Sequence, residues 1–237
     1  MLPGPDFLVF AHRGASAELP ENTLPAFRRA ADLGADGIEL DVQCCEDELV
    51  VIHDDELDRT TNGHGAVADR SLSELRALDA GGGAPIPLLS EVLDEVGDRL
   101  VVNVELKGAG TAGPAVELLT ARAVAPDRVL LSAFDHDELV EARRRAPRYL
   151  RGALFGRLDG VDPVAASLAV AATTANLALR TVTEARVRAL RAAGLEVLVY
   201  TVNEIDEAFA LRALGVRGVF TDRPRELLAA LGRPARG

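Results

Sequence analysis

Short runs of apolar residues alternate along this chain with longer segments in which apolar residues recur every three or four positions. The short runs have the length of buried strands, and the longer segments have the period of helices with one buried face. Eight strands are predicted, at residues 7–11, 37–42, 100–106, 128–133, 151–155, 175–179, 196–202 and 217–221. This alternation is typical of a parallel sheet built from β/α units.

Helices are predicted between these strands, at residues 22–33, 111–125, 136–145, 183–193, 204–214 and 224–231. Local signals support their bounds, because Thr183 precedes one helix, Gly194 and Gly215 each follow one, and Pro224 stands early in the last. Eight strands with intervening helices favour an α/β protein with a closed (β/α)8 TIM barrel.

One segment, at about residues 49–98, interrupts the alternation between the second and third barrel strands. It contains the strand-like sequence LVVIH, a polar stretch with glycines, and two helix candidates. We interpret it as a small insertion over the barrel mouth, within a single domain of residues 1–237.

Composition narrows the class of protein. Apolar residues make up 48% of the 237 residues and charged residues 27%, as in an ordinary globular protein. Acidic residues outnumber basic ones by 37 to 26, for a formal charge of −11, so the surface as a whole should repel nucleic acid and anionic membranes. We therefore expect no nucleic acid partner and no stable membrane association, and an anionic substrate would need a local positive charge.

The first residues and the cysteines add two expectations. The start, MLPGPDFLVFAHRG, has no basic segment, and its apolar run is too short for a signal-peptide core or a membrane span, so the cytoplasm is the default location. Cys44 and Cys45 are adjacent, which suits neither a loop-closing disulfide nor a four-ligand zinc site. We expect free thiols that are buried or half-buried. The oligomeric state is left open.

Polar residues are concentrated where the first predicted strands end, which is where β/α barrels carry their active sites. Residues two apart on a strand point the same way, so Glu39 and Asp41 share one face, as do Glu105 and Lys107. Three carboxylates brought together repel one another unless a cation neutralises them. An all-oxygen set suits one hard divalent cation, Mg²⁺ or Ca²⁺, better than zinc, with Mn²⁺ as a third possibility.

A phosphodiester fits this arrangement. The cation would supply the local positive charge, and Arg13 and Lys107 would add donors for two phosphate oxygens. Hydrolysis also needs a base for the attacking oxygen and an acid for the leaving oxygen, and His12 and His53 are the available pair. Each of these residues alone would more often be structural, but the whole set at successive strand ends favours a catalytic site.

The segments AHRGASAELPENTLPAFRRAADLGADGIELDVQ and VIHDDELDRTTNGHG resemble the glycerophosphodiester phosphodiesterases. The resemblance continues through IPLLSEVL, VNVELKG, LLSAFDHDEL, LEVLVYTVNE and GVRGVFTDRP, and it is least clear between residues 154 and 181. It implies a β/α barrel with a small insertion after the second strand. It also implies hydrolysis of a small-molecule glycerophosphodiester to glycerol 3-phosphate and an alcohol.

The same resemblance assigns roles to individual residues. It implies that Glu39, Asp41 and Glu105 bind the metal, that His12 and His53 act as general base and general acid, and that Arg13 and Lys107 hold the phosphate. Glu21 and Asn22 of the PENT motif are similarly implied to belong to the site. Tyr200 stands where family members typically have Trp, which leaves the choice of alcohol open.

Three alternatives stay open. The attacking oxygen could come from a water on the metal or from the substrate's own neighbouring hydroxyl, which would give a cyclic phosphate first. The substrate could be a lysophospholipid, although the sequence shows no obvious apolar run at the mouth for an acyl chain. The chain could also be a non-catalytic barrel that binds a phosphorylated ligand, which the intact set of seven site residues argues against.

Overall fold

The structure, a computed structural model, describes residues 1–233, and residues 234–237 lie outside the described part. Its strands are Leu8–His12 (β1), Gly37–Cys45 (β2), Glu48–Val51 (β3), Val101–Leu106 (β4), Val129–Ala133 (β5), Leu150–Phe155 (β6), Thr174–Ala178 (β7), Glu196–Tyr200 (β8) and Gly218–Thr221 (β9). All of them except β3 pair in parallel in chain order, and β1 pairs with both β2 and β9. This pairing closes an eight-stranded barrel, so the predicted (β/α)8 fold is confirmed.

Helices connect the barrel strands. They are Leu24–Leu33 (α1), Leu72–Arg76 (α2), Leu89–Val96 (α3), Ala112–Ala121 (α4), His136–Arg145 (α5), Pro163–Ala169 (α6), Glu184–Ala192 (α7), Ile205–Ala213 (α8) and Pro224–Ala230 (α9). All of them except α2 present apolar side chains to the outer face of the barrel, where they form the main hydrophobic core. None of the described helices is long and apolar enough to cross a membrane.

The barrel interior is a second packed layer. Side chains from β1, β4, β5, β8 and β9, together with one residue that precedes β1, form a cluster of Leu2, Leu8, Phe10, Val101, Leu130, Leu198 and Phe220. Phe10 approaches Gly37 so closely that a Cβ at this glycine would lie 2.4 Å from the ring. Only glycine fits at position 37. The apolar cluster fills the barrel interior below the mouth.

The segment after β2 begins with a hairpin. Val42 to Cys45 pair antiparallel with β3, which extends β2 three residues beyond its predicted end. The hairpin, α2 and the loops around them enclose a separate small core that includes Val50, Leu57 and Leu75. Helix α3, by contrast, packs on α1 and belongs to the main core, so it occupies the position of a barrel helix.

The two cysteines at the end of the hairpin differ from the prediction in part. Both are free, as expected, and Cys45 is buried, but Cys44 is exposed. The prediction for Cys44 is wrong because successive residues of the hairpin strand face opposite sides, and Cys44 lies on the outer one.

Candidate active site

The three predicted metal ligands lie on neighbouring strands of the barrel. Strand register places Glu39 of β2 opposite His12 of β1, and Asp41 of β2 opposite Glu105 of β4. One carboxylate oxygen from each of Glu39, Asp41 and Glu105 lies within 4.8 Å of the others. Strand register and the alternation of side chains therefore bring the three carboxylates together as an acidic cluster at the carboxyl end of the barrel.

Burial makes this cluster electrostatically unfavourable without a cation. Burial, followed by repulsion from Asp41 and Glu105, raises the pKa of Glu39 well above its usual value. Burial and the charge of Asp41 raise the pKa of Glu105 to about 7. Asp41 Oδ1 is also buried without a hydrogen-bond partner among the described residues. These groups would each be stabilised by a bound positive ion.

Arg13 and Asn22 surround the same carboxylates from the loop after β1. Asn22 Nδ2 donates to Asp41 Oδ2 over 3.0 Å, and Arg13 Nε lies 3.3 Å from the same oxygen. The backbone N–H of Arg13 donates to Glu39 Oε2 over 3.1 Å. Both residues adopt φ of 56°, an uncommon conformation for non-glycine residues that is often found at functional sites.

His12 is held from the last barrel strand. Its Nδ1 lies 2.7 Å from Oδ1 of Asp222, and its Nε2 lies 3.9 Å from Oε2 of Glu39. Asn203 donates to the other oxygen of Asp222 over 2.7 Å. Burial acts to raise the pKa of Asp222, but the hydrogen bonds from His12, Asn203 and Ser16 lower it to about 2. Asp222 is therefore an acceptor for Nδ1–H, which leaves the Nε2 lone pair free.

His53 follows the hairpin strand β3 and has the same kind of partner. Its Nδ1 lies 2.5 Å from Oδ1 of Asp54. Asp54 is also bound by Arg59, whose hydrogen bonds are the largest cause of a lowered pKa for this carboxyl. Both histidines of the site therefore have Nδ1 on an ionised carboxylate and Nε2 available for chemistry.

The remaining predicted residues also lie at the mouth. Lys107 Nζ lies 3.5 Å from Oε1 of Glu105. Within residues 1–233 the hydroxyl of Tyr200 is buried without a hydrogen-bond partner, and burial raises the pKa of this group. Phe134, which is 49% exposed, packs edge-on against Tyr200 at 6.1 Å. The sequence had indicated no exposed aromatic surface here, and Phe134 supplies one.

A family model for the glycerophosphoryl diester phosphodiesterase family matches residues 12–226. The chain belongs to this family. The resemblance seen in the sequence is thereby confirmed, together with the prediction that the chain is an enzyme of this family. The matched residues extend from the first site histidine, His12, through Asp222 and into helix α9.

Relatives match over nearly the whole chain. A glycerophosphodiester phosphodiesterase of Caldanaerobacter subterraneus subsp. tengcongensis is 38% identical over 234 residues, which cover 93% of this chain and 96% of the relative. One from Bacillus altitudinis is 37% identical and covers 91% and 94%. An Oleispira antarctica phosphodiesterase, solved in complex with the product sn-glycerol-3-phosphate, is 29% identical with a TM-score of 0.89, covering 98% of this chain and 97% of that one.

Members of this phosphodiesterase family generally depend on a divalent metal, and the residues of this chain fit one. The donors are all carboxylate oxygens, and the carboxyl groups of Glu39 and Glu105 have raised pKa values. In the described part of the chain, one buried oxygen of Asp41 has no hydrogen-bond partner. Such a set matches hard cations rather than zinc.

No role was predicted for Asp222, Asn203, Asp54 or Arg59, although the structure brings all four to the site. Asp222 follows the last strand directly, so the rule that strand ends carry active-site residues could have identified it. Arg59 gave no comparable signal, because it lies in the loop after β3 and one of its partners, Glu21, is 38 positions away.

Proposed function

We propose that this protein is a metal-dependent hydrolase of glycerophosphodiesters that releases glycerol 3-phosphate and an alcohol by general acid–base catalysis. The observation that carries the proposal is the position of His12, whose Nδ1 is bound by Asp222 while Nε2 lies 3.9 Å from Glu39 of the acidic cluster. A base and a cation site are thus adjacent, as phosphodiester hydrolysis requires. The product bound in the Oleispira antarctica relative supports the choice of glycerol 3-phosphate.

We assign the cation to Glu39, Asp41 and Glu105, and Mg²⁺, Ca²⁺ and Mn²⁺ all suit these oxygen ligands. When bound, a divalent cation would polarise the phosphoryl group and neutralise the negative charge that develops on it. Arg13 and Lys107 add two fixed positive charges beside the cluster, at 3.3 Å from Asp41 and 3.5 Å from Glu105. We assign both to the non-bridging phosphate oxygens, because guanidinium and ammonium groups bind such oxygens strongly.

His12 acts as the general base in this proposal. Because Asp222 accepts a hydrogen bond from Nδ1–H, the Nε2 lone pair is directed away from Asp222 and can accept the proton of the attacking water or hydroxyl. Asp222 then stabilises the imidazolium that forms. The low pKa of Asp222 keeps it ionised throughout this step.

His53 acts as the general acid. In its protonated form, Nδ1–H is bound by Asp54 and Nε2–H is left to donate to the alcohol oxygen as its bond to phosphorus breaks. One proton is taken up at His12 and one is released at His53. The pair returns to its starting state by exchanging these protons with water.

The first experiment measures release of glycerol 3-phosphate from glycerophosphocholine and glycerophosphoethanolamine by metal-stripped protein, with and without added Mg²⁺, Ca²⁺ or Mn²⁺. We expect release that depends on the metal and is lost in His12→Ala, but kept in His64→Ala, because His64 is exposed on Asp58 away from the acidic cluster. Full activity of His12→Ala would remove the mechanism. Cleavage of lysophospholipids alone would favour the lysophospholipase alternative, and binding without turnover would favour a non-catalytic barrel.

Two sources of the attacking oxygen are compatible with His12 as base. Water would give glycerol 3-phosphate directly, whereas the substrate's neighbouring hydroxyl would give a cyclic phosphate that must then be opened. Phosphorus NMR during early turnover separates them, since the cyclic phosphate has its own resonance. We retain the prediction that the protein acts in the cytoplasm, as one domain, on a small-molecule substrate.

A further inference from the structure

Arg59 joins the carboxylate partners of two different site residues. Its Nε and Nη2 lie 2.5 and 3.0 Å from the two oxygens of Asp54, and its Nη1 and Nη2 lie 2.7 and 2.8 Å from the two oxygens of Glu21. A planar guanidinium with five donors can form two such paired contacts at once. The loop after β3 is thereby bound to the loop after β1 through one side chain.

The oxygens used by Arg59 are the same ones that hold the site. Oδ1 of Asp54 also contacts Nδ1 of His53 at 2.5 Å, and Oε1 of Glu21 also accepts from Nη1 of Arg13 over 2.7 Å. Nη2 of Arg59 donates a hydrogen bond to each of these two shared oxygens. A continuous chain of contacts therefore runs from His53 to Arg13, with Arg59 at its centre.

We infer that Arg59 is a positioning residue that holds His53 and Arg13 in a common frame by binding Asp54 and Glu21 together. The inference rests on the proposed function for the roles of His53 and Arg13. The hydrogen bonds of the Arg59 side chain within the described residues go to the two carboxylates and to neither of these side chains, so it acts through Asp54 and Glu21. Arg59 lies in the loop after β3, outside the barrel strands.

Geometry rather than charge is the basis of the effect. A lysine at position 59 would keep the positive charge, but its single ammonium group cannot form two parallel contacts with each of two carboxylates. Without Arg59, Asp54 and Glu21 would repel each other, and each could rotate with the residue it holds. Misplacement by about 1 Å is enough to lower a rate roughly a hundredfold.

The test compares Arg59→Ala with Arg28→Ala. Arg28 is a matched control, because it also forms a two-pronged contact with one carboxylate, Glu95, at 2.8 and 2.7 Å, and is exposed on α1. We expect Arg59→Ala to lower kcat/KM by about a hundredfold with much of the loss in kcat, and Arg28→Ala to leave both constants unchanged. Arg59→Lys should recover only part of the loss.

Chemical rescue distinguishes a positioning role from a purely structural one, because added guanidinium should restore activity only if Arg59 positions the site. The Arg59 side chain is 49% exposed, so free guanidinium can reach the position it vacates. We expect guanidinium chloride, well below concentrations that unfold proteins, to restore activity to Arg59→Ala, while methylammonium chloride at the same ionic strength does not. Equal rescue by both salts, or equal kinetics of the two alanine variants, would overturn the inference.

Binding of sn-glycerol 3-phosphate, measured by calorimetry, keeps the inference testable apart from turnover. If the wild-type protein cleaves none of the substrates, the proposed function fails. The inference then stands or falls on whether Arg59→Ala, but not Arg28→Ala, weakens binding by tenfold or more, an order-of-magnitude threshold of about 1.4 kcal/mol. If Arg59→Ala does not fold, Arg59→Gln and Arg59→Lys replace it in both measurements.

Discussion

Oδ1 of Asp222 lies 2.7 Å from Nδ1 of His12, although 210 positions separate the two residues in the chain. The contact exists because the barrel closes between β1 and β9, which places the residue after the last strand beside the end of the first. A histidine on the first strand thus obtains its orientation from the final turn of the barrel. Barrel closure therefore also orients the histidine that we propose as the general base.

Replacing Asp222 with Asn should therefore disable the base while leaving substrate binding intact. The amide can donate to Nδ1 of His12, which would favour the tautomer with the proton on Nε2, where the base needs a lone pair. We expect kcat to fall by at least about a hundredfold with little change in KM.

A matched control for this change is Asp58→Asn, since Asp58 contacts Nδ1 of the exposed His64 at 2.9 Å. This variant removes the same kind of pair outside the site and should keep wild-type kinetics. Steady-state kinetics with saturating metal measures both. Wild-type kcat in Asp222→Asn would show that His12 does not depend on this contact.

Metal binding should raise the thermal stability of the protein. A ligand present at about one hundred times its Kd stabilises the folded state by about 2.7 kcal/mol, so the melting temperature of metal-stripped protein should rise on addition of Mg²⁺, Ca²⁺ or Mn²⁺. Asp41→Asn should abolish most of this rise, because Asp41 contributes the buried oxygen without a partner. Asp47→Asn, an exposed change beyond the hairpin strand β2, should not. Equal shifts in both variants would place the metal elsewhere.

The affinity for metal should increase with pH. Burial and neighbouring charges raise the pKa values of Glu39 and Glu105, the latter to about 7, so the metal-free cluster holds protons that a cation must displace. The raised value of Glu105 also means that this group stabilises the metal-free fold below its unfolded pKa, near 4.3, and that this contribution is lost as pH rises through about 7. Calorimetric titration with Mg²⁺ at pH 6, 7 and 8 should show progressively tighter binding, and a constant Kd would contradict the assignment.

The strand pattern was predictable because parallel barrel strands are buried on both faces and therefore read as short apolar runs. Even the Ala-rich segment predicted at 175–179 is strand β7, shifted by one residue. Helix α6 was absent from the prediction, since the sequence PVAASLA has almost no polar residues to reveal a helical period. An element is thus predictable where apolar and polar positions contrast. In α6 the alanines remove that contrast, and the helix cannot be predicted.

The acidic cluster was predictable for a different reason. Alternation along one strand is a local rule, and it alone places Glu39 beside Asp41. The partners of the histidines depend instead on which loops meet in space. The pairing of Asp222 with His12 requires barrel closure, and the contacts of Arg59 require the loop after β3 to lie on the loop after β1. Neither barrel closure nor the contact between the two loops can be inferred from the spacing of residues in the sequence.

Glu138 gives the clearest case of a stabilising contact that spacing does not reveal. Helix α4 begins after Thr111, whose side chain does not cap it. The buried carboxylate of Glu138, on helix α5, instead accepts from the backbone N–H groups of Gly110 and Ala112, each over 2.7 Å, and from the hydroxyl of Thr111. One side chain thus accepts from three donors at the start of a neighbouring helix, among them the N–H of the buried residue Ala112.

We expect Glu138→Gln to lower the free energy of unfolding by about 1 to 3 kcal/mol, because an amide offers one acceptor oxygen where the carboxylate offers two charged ones. The exposed neighbour Asp137, replaced by Asn, should change it by no more than about 0.5 kcal/mol. Urea unfolding of metal-saturated protein measures both, and an unchanged slope with denaturant would attribute the difference to the native state.

Because Glu138 contacts no residue of the acidic cluster, kcat at a temperature well below unfolding should stay at the wild-type value. Loss of activity in the folded variant would mean that the start of α4 communicates with the barrel mouth, and equal stability of the two variants would mean that water replaces the cap.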